Sequence, residues 1–246
     1  QFDGGRRFIS GNRCSRPLGK EKQELPDLTR YKYQKLRAME GKGSGTGVRG
    51  RIGVPFGLNM YENLPFWYEF FTKLNFEVVL SPESSRKLYL KGQHTIPSDT
   101  VCYPAKLLHG HVEALVEMGV DAIWYPCMSY NYPVVAYYPE LLAANVPLLK
   151  ETRFLIPYVG LNRPKDFEKR IAKIMADTFS IPKKESIAAT RSAYAAYDAY
   201  KKDLWATGQK YITYARKHHL PILVQAGRPY HIDPEINHGI NDLITG

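Results

Sequence analysis

Cysteine is scarce in this 246-residue chain. The three present, Cys14, Cys102 and Cys127, are an odd number at wide spacing, which argues against a disulfide framework and for a reducing compartment, the cytoplasm. Long apolar runs are missing too. Stretches such as Val134 to Ala136 and Ile222 to Val224 fall far below the roughly 18 residues a membrane span needs, so no bilayer crossing is expected. No basic, apolar, small-residue leader opens the sequence. It starts at Gln1 and stops at Gly246 in mid-pattern, which reads as a piece of a longer polypeptide. No repeat at a spacing of roughly 20 to 50 residues points to a solenoid.

What is present is the composition of a globular protein: 44% hydrophobic and 24% charged residues, enough chain for one large domain or two small ones. A net charge of +10 can steer an anionic partner. The positive residues are spread along the chain, and neither zinc-finger spacing nor an RNP-type aromatic motif occurs, which speaks against nucleic acid.

The first fifty residues carry Arg6, Arg7, Arg13, Arg16, Lys20 and Lys22, then a Gly/Ser stretch from Gly41 to Gly47, and read as a basic arm and linker. From Arg51 the texture changes. Arg51 to Pro55, Phe76 to Leu80 and Val120 to Tyr125 read as strands. Leu64, Trp67, Phe70, Phe71 and Leu74 fall at helical spacing, and a second helix runs from about Ser98 to Gly119. Alternating strands and helices imply parallel pairing through right-handed crossovers. The expected fold is therefore α/β, a Rossmann-like three-layer parallel sheet over 51–160, followed by a helical section over 161–220. A second α/β unit is expected to start over 221–246, its first strand at Pro221 to Gln225. In the helical section the stripe Tyr194, Tyr197, Tyr200, Leu204, Tyr211, Tyr214 reads as helix packing rather than a cofactor box.

Gly45, Gly47 and Gly50 formally satisfy G-x-G-x-x-G, but a strand follows them where a dinucleotide site needs a helix, so they read as linker. The cysteines are better placed. Cys127 falls just past a strand, at the carboxyl edge where open α/β sheets hold ligands. Cys102 falls in the first turn of a helix, a position that lowers a thiol's pKa, and Cys14 lies among arginines that act the same way. Burial as small hydrophobes is the competing reading, and spacing alone favours it, because no local C-x-x-C announces a metal site. His109 and His111, two apart on a helix, face different ways and are rejected as a metal pair. His231, Asp233 and His238 follow the last expected strand, where Arg228 can hold a carboxylate or phosphate bidentately.

Several strings carry a more specific resemblance. Gly53-Val54-Pro55, Leu58-Asn59-Met60-Tyr61-Glu62, Pro65-Phe66-Trp67, Ile96-Pro97-Ser98, Val101-Cys102-Tyr103-Pro104-Ala105-Lys106, His109-Gly110-His111 and Tyr125-Pro126-Cys127 resemble the domain of unknown function in large acyl-CoA dehydratase activase-related proteins. Ser10 to Cys14 is similar to the segment before that domain, and Gly227 to His231 with Asp233-Pro234 to its continuation. The resemblance implies relationship to 2-hydroxyacyl-CoA dehydratase subunits, with Cys14, Cys102 and Cys127 as ligands of a [4Fe-4S] cluster. It also implies an activase-type ATPase domain as partner, with ATP bound only on parts of the protein outside this chain.

The function it implies is iron-sulfur electron transfer or reduction in an ATP-dependent acyl-CoA dehydratase or reductase system. An acyl-CoA or another small molecule would be the substrate, and a homodimer is conceivable. Asn59, Tyr61, Arg228 and His231 are candidate anion or substrate contacts. Phe56 and Gly57 stand where relatives often carry a basic residue. A cluster-free regulatory or docking domain and a small-anion-binding α/β domain are the alternatives. Cys102 and Cys127 are expected to share one pocket, with the arm around Asn12 folded back over them.

Overall fold

A computed structural model describes residues 25–40, 47–128 and 133–245. Its strands are β1 (Arg51–Val54), β2 (Glu77–Leu80), β3 (Ala122–Trp124), β4 (Cys127–Met128), β5 (Arg153–Leu155) and β6 (Tyr158–Val159). Four of them form one parallel sheet in the order β2-β1-β3-β5, with Ile52 opposite both Val78 and Ala122. β4 pairs in parallel with β6. These two short strands prolong β3 and β5 past a proline in each. Tyr125 N–H donates to Leu155 O and Cys127 N–H to Pro157 O, both at 3.0 Å, so the ladder resumes on either side of residues that have no N–H to give.

Side chains alternate across the sheet and meet a helix on each face. Trp124 packs on α2 (Met60–Lys73), with ring centroids 5.1 Å from Trp67 and 5.2 Å from Phe71. Gly53 and Ile123 face the opposite way, towards α4 (Tyr103–Glu117), where a Cβ on Gly53 would stand 3.2 Å from Leu115. The result is the three-layer, Rossmann-like α/β arrangement. α2 is buried nearly all round because α6 (Pro164–Phe179) and α7 (Lys183–Lys217) cover its outer side, Phe66 meeting Phe167 at 5.4 Å and Tyr194 at 4.9 Å. On the other face α3 (Arg86–Gly92) crosses α4 so closely that a Cβ on Gly110 would lie 2.0 Å from the Leu88 carbonyl oxygen. α5 (Pro133–Asn145) packs beside β4, and two short helices, α8 (Pro234–Asn237) and α9 (Ile240–Thr245), end the described chain.

Three expectations need correction. The span assigned to a basic arm contains α1 (Leu28–Arg37), which Asp27 caps by accepting from Arg30 N–H at 3.0 Å and which buries Tyr33 and Leu36 in the core. Its few apolar residues are enough because they fall on one face, between basic side chains that reach out to solvent. Pro221 to Gln225 is extended but forms no strand. Among the described residues nothing pairs with it, and Leu223 and Val224 are 65% and 86% exposed. The tyrosine stripe of α7 packs only at its start. Tyr194, Tyr197 and Tyr200 lie against the core, whereas Tyr214 is exposed, because a 35-residue helix about 50 Å long outruns the body beneath it. Among the described residues no helix is long and apolar enough to cross a membrane.

Candidate functional site

From β1 the chain crosses to β2 on one side and then returns past β1 to β3 on the other. That reversal makes the carboxyl ends of β1 and β3 a topological switch point, the place where open α/β sheets bind ligands. After β1 the backbone turns at Leu58, φ 44°, and delivers Asn59 to the start of α2. Asn59 is 4% exposed, and neither its amide nitrogen nor its oxygen has a partner among the described residues. After β3 comes Tyr125, fully buried, its hydroxyl also without a partner there and its pKa driven well above 10 by burial. Orphaned polar atoms this deep are costly, and two residues that carry them follow the two strands of the switch point.

The two described cysteines lie at this edge and are free thiols. Leu108 and His111 of α4 meet the residues that leave β1 and β2, so the turns before them project roughly 10 Å beyond the strand ends and carry Cys102, the exposed N-cap. β4 carries Cys127 in the same direction. It is 1% exposed, and burial, with the nearby Glu140 carboxylate adding to it, pushes its thiol up to about 11. Tyr138 of α5 is buried nearby, where its hydroxyl meets His109. Among the described residues no three His, Cys, Asp or Glu side chains stand together as a metal group. Cys14, and the fold-back of the arm around it, lie outside the described residues.

His109 and His111 serve separate buried networks. His109 Nδ1 lies 2.7 Å from Thr95 Oγ1, which itself donates to Gly92 O, so the imidazole donates there and its Nε2 accepts from Tyr138 O–H at 3.1 Å. His111 joins two serines that follow β2. Ser84 gives its hydroxyl proton to the Asp233 carboxylate and therefore accepts from His111 Nε2–H at 3.1 Å. His111 Nδ1 then accepts from Ser81, 2.7 Å away, whose oxygen takes Phe56 N–H. Burial holds His109 down to about 4 and His111 to about 3, so both are neutral at pH 7. Asp233 is fully buried and has no cationic partner among the described residues. Tyr61 O–H, Ser84 O–H and the Glu235 and Ile236 N–H groups hold it instead, and burial raises its pKa.

A family model described as the CoA enzyme activase uncharacterised domain matches residues 51–246. The chain belongs to that family. No curated protein and no solved structure matches it.

Within this activase-related domain the candidate residues separate into two places. Cys102, Cys127 and Asn59 belong to the carboxyl edge. Tyr61, Arg228 and His231 line a cavity of about 330 Å³ between α1, α2, α7 and the segment after α7. The segment from Pro229 to Asn237 ties the two together: Asp233 takes the Tyr61 hydroxyl, and Glu235 accepts from Tyr103 O–H, next to Cys102, at 2.7 Å. Sequence reasoning missed Ser81, Ser84, Tyr138 and the basic residues Lys32 and Lys201 of the cavity wall. A Ser-x-x-Ser directly after a strand was the available signal for the serines. Tyr138 sits in an unbroken apolar run and gives none.

Proposed function

We propose that this domain is an iron-sulfur electron-transfer module of an ATP-dependent acyl-CoA dehydratase- or reductase-type system, with Cys14, Cys102 and Cys127 holding a [4Fe-4S] cluster. What supports the reading is that Cys102 opens α4 and Cys127 lies on the prolongation of β3, both towards the carboxyl side of the sheet. Their soft sulfur donors suit iron, and both are free. When bound, such a cluster passes single electrons at low potential and leaves an iron open to an oxygen ligand.

The chain's own groups have distinct parts in this reading. Cys102 offers an exposed thiol at a helix N-terminus, where negative charge is favoured. Cys127, protonated at pH 7 as it stands, surrenders its proton on ligation, so loading releases acid from this position. Tyr125 and Asn59 present hydroxyl and amide groups for a ligand's polar atoms.

Anaerobic reconstitution with iron and sulfide tests it. The intact chain should take up close to four irons and absorb near about 400 nm. Cys102→Ala and Cys127→Ala, each folded by circular dichroism, should lose most of that iron. Uptake unchanged in both variants, or no uptake by the intact chain, overturns the assignment.

A further inference from the structure

The cavity beside α2 is lined by groups the cluster reading does not use. Among the described residues, Lys32 of α1, Lys201 of α7 and Arg228 bring three cationic side chains to its wall, where Glu62 is the one lining carboxylate. Lys32 is half-buried and has no ion-pair partner among the described residues. Lys201 is positioned from two sides, its Nζ 4.1 Å from the centre of the Tyr197 ring and 3.1 Å from Asp198.

His231 adds a donor. Its Nδ1 accepts Arg228 N–H at 3.0 Å, which leaves the proton of the neutral ring on Nε2. Gly227 makes that fold possible, since a Cβ there would stand 2.4 Å from the same nitrogen. The rest of the wall is aromatic, with Tyr197 and Tyr200 three residues apart on one face of α7 and Tyr61 across from them on α2.

Three cationic side chains and an imidazole N–H, with Glu62 in the wall and Asp198 beside Lys201, offer the donors that the oxygens of a phosphate need. Tyr197 and Tyr200, half-buried on the wall, offer a planar ring surfaces on which to lie. Glu62 is the acceptor a sugar's hydroxyl groups need, and about 330 Å³ falls at the lower end of the range for small-molecule sites. We infer that this cavity binds a phosphorylated ligand with a planar ring, of the nucleoside monophosphate class. The phosphate lies among Lys32, Lys201 and Arg228, and the ring among the tyrosines. The inference stands apart from the cluster reading, since neither described cysteine lines the cavity.

Calorimetric titration of the 246-residue chain with AMP, adenosine and inorganic phosphate tests it. AMP should bind at least about tenfold more tightly than either part alone, and added salt should weaken it. The Lys32→Ala/Arg228→Ala double variant should lose at least about tenfold in AMP affinity while its circular dichroism and its iron uptake stay unchanged. Should that variant not fold, Lys201→Gln, a change at an exposed position, should still weaken AMP several-fold. No AMP binding at millimolar concentration overturns the proposal. So does phosphate binding as tightly as AMP, which would make the cavity a plain anion site. AMP affinity unchanged in the substituted proteins that fold would place the ligand elsewhere. Loss of iron uptake in Cys102→Ala leaves each of these results where it stands.

Discussion

Asp233 is a carboxylate held in the interior by hydrogen bonds instead of a counter-ion, and Tyr61 is one of the groups that keep it there. Tyr61 is itself buried, and the negative charge it faces adds to burial in driving its pKa well above 10, so it acts as a donor throughout the accessible pH range. Tyr61→Phe removes one O–H from the carboxylate and leaves the ring in place. The expected cost is about 1 to 3 kcal/mol, read as a lower urea midpoint at pH 7 with an unchanged slope. Asp233→Asn should recover less than the full stability, because an amide presents its N–H groups to a site furnished with donors. None of this coupling shows in the sequence, where Ser81, Ser84, His111 and Asp233 are spread over more than a hundred positions and look like ordinary polar residues of loops and a helix.

At the scale of elements, α3 and α4 cross more closely than a side chain on either facing glycine would allow. Gly92 and Gly110 face one another across it, and a Cβ on Gly92 would come within 2.2 Å of the Gly110 nitrogen. Backbone atoms on both sides leave nothing to swing away. Gly110→Ala must therefore push α3 off α4, disturbing His109 and His111 on either side. A loss of more than about 3 kcal/mol, or failure to fold, is expected by thermal melting. Gly53→Ala makes a useful contrast, because its neighbours there are the ends of the Val120, Leu115 and Ile123 side chains, the closest at 3.0 Å, which can give a little. The helical periodicity of α2 was legible because Leu64, Trp67, Phe70, Phe71 and Leu74 form one stripe. α1 was not, since only Tyr33 and Leu36 are buried and the basic residues around them resemble those of a tail.

For the molecule as a whole, the two buried imidazoles set the acid limit. The unfolded chain takes up a proton on each histidine below about pH 6.5, while the folded chain resists until about 4 at His109 and about 3 at His111. Their contribution to stability is complete above pH 6.5 and falls away as the pH drops towards those values. Asp233 and Glu113 work in the opposite sense. Burial raises both, so above the ordinary carboxylate range the folded form takes up their protons first and gains stability on acidification. The melting temperature should therefore hold steady above pH 7 and decline as the pH falls below about 6.5, with Asp233 and Glu113 opposing the decline. A His109→Gln/His111→Gln double variant should be less stable at pH 7 and show a flatter profile over that range. An equally steep profile in the variant would assign the acid limit to other groups.

The sequence by itself determined the layer architecture, because the spacing of apolar residues repeats every two positions in a strand and every three or four in a helix, and because alternation of the two demands a parallel sheet. It also determined the family, through short strings such as Tyr125-Pro126-Cys127, and placed Cys127 beyond a strand and Cys102 at the opening of a helix. Only the tertiary structure decided what lies beside what. Pro221 to Gln225 has the composition of a strand, but a strand exists by pairing, and no described segment lies alongside it. His109 and His111 are two residues apart, yet they belong to networks closed by Tyr138 on one side and by Asp233 on the other. Lys32, Tyr61, Lys201 and Arg228 come from four separate stretches and meet only because α1, α2 and α7 pack together. Local patterns are carried by neighbours along the chain, whereas a cavity or a buried carboxylate is made by neighbours in space, which no periodicity records.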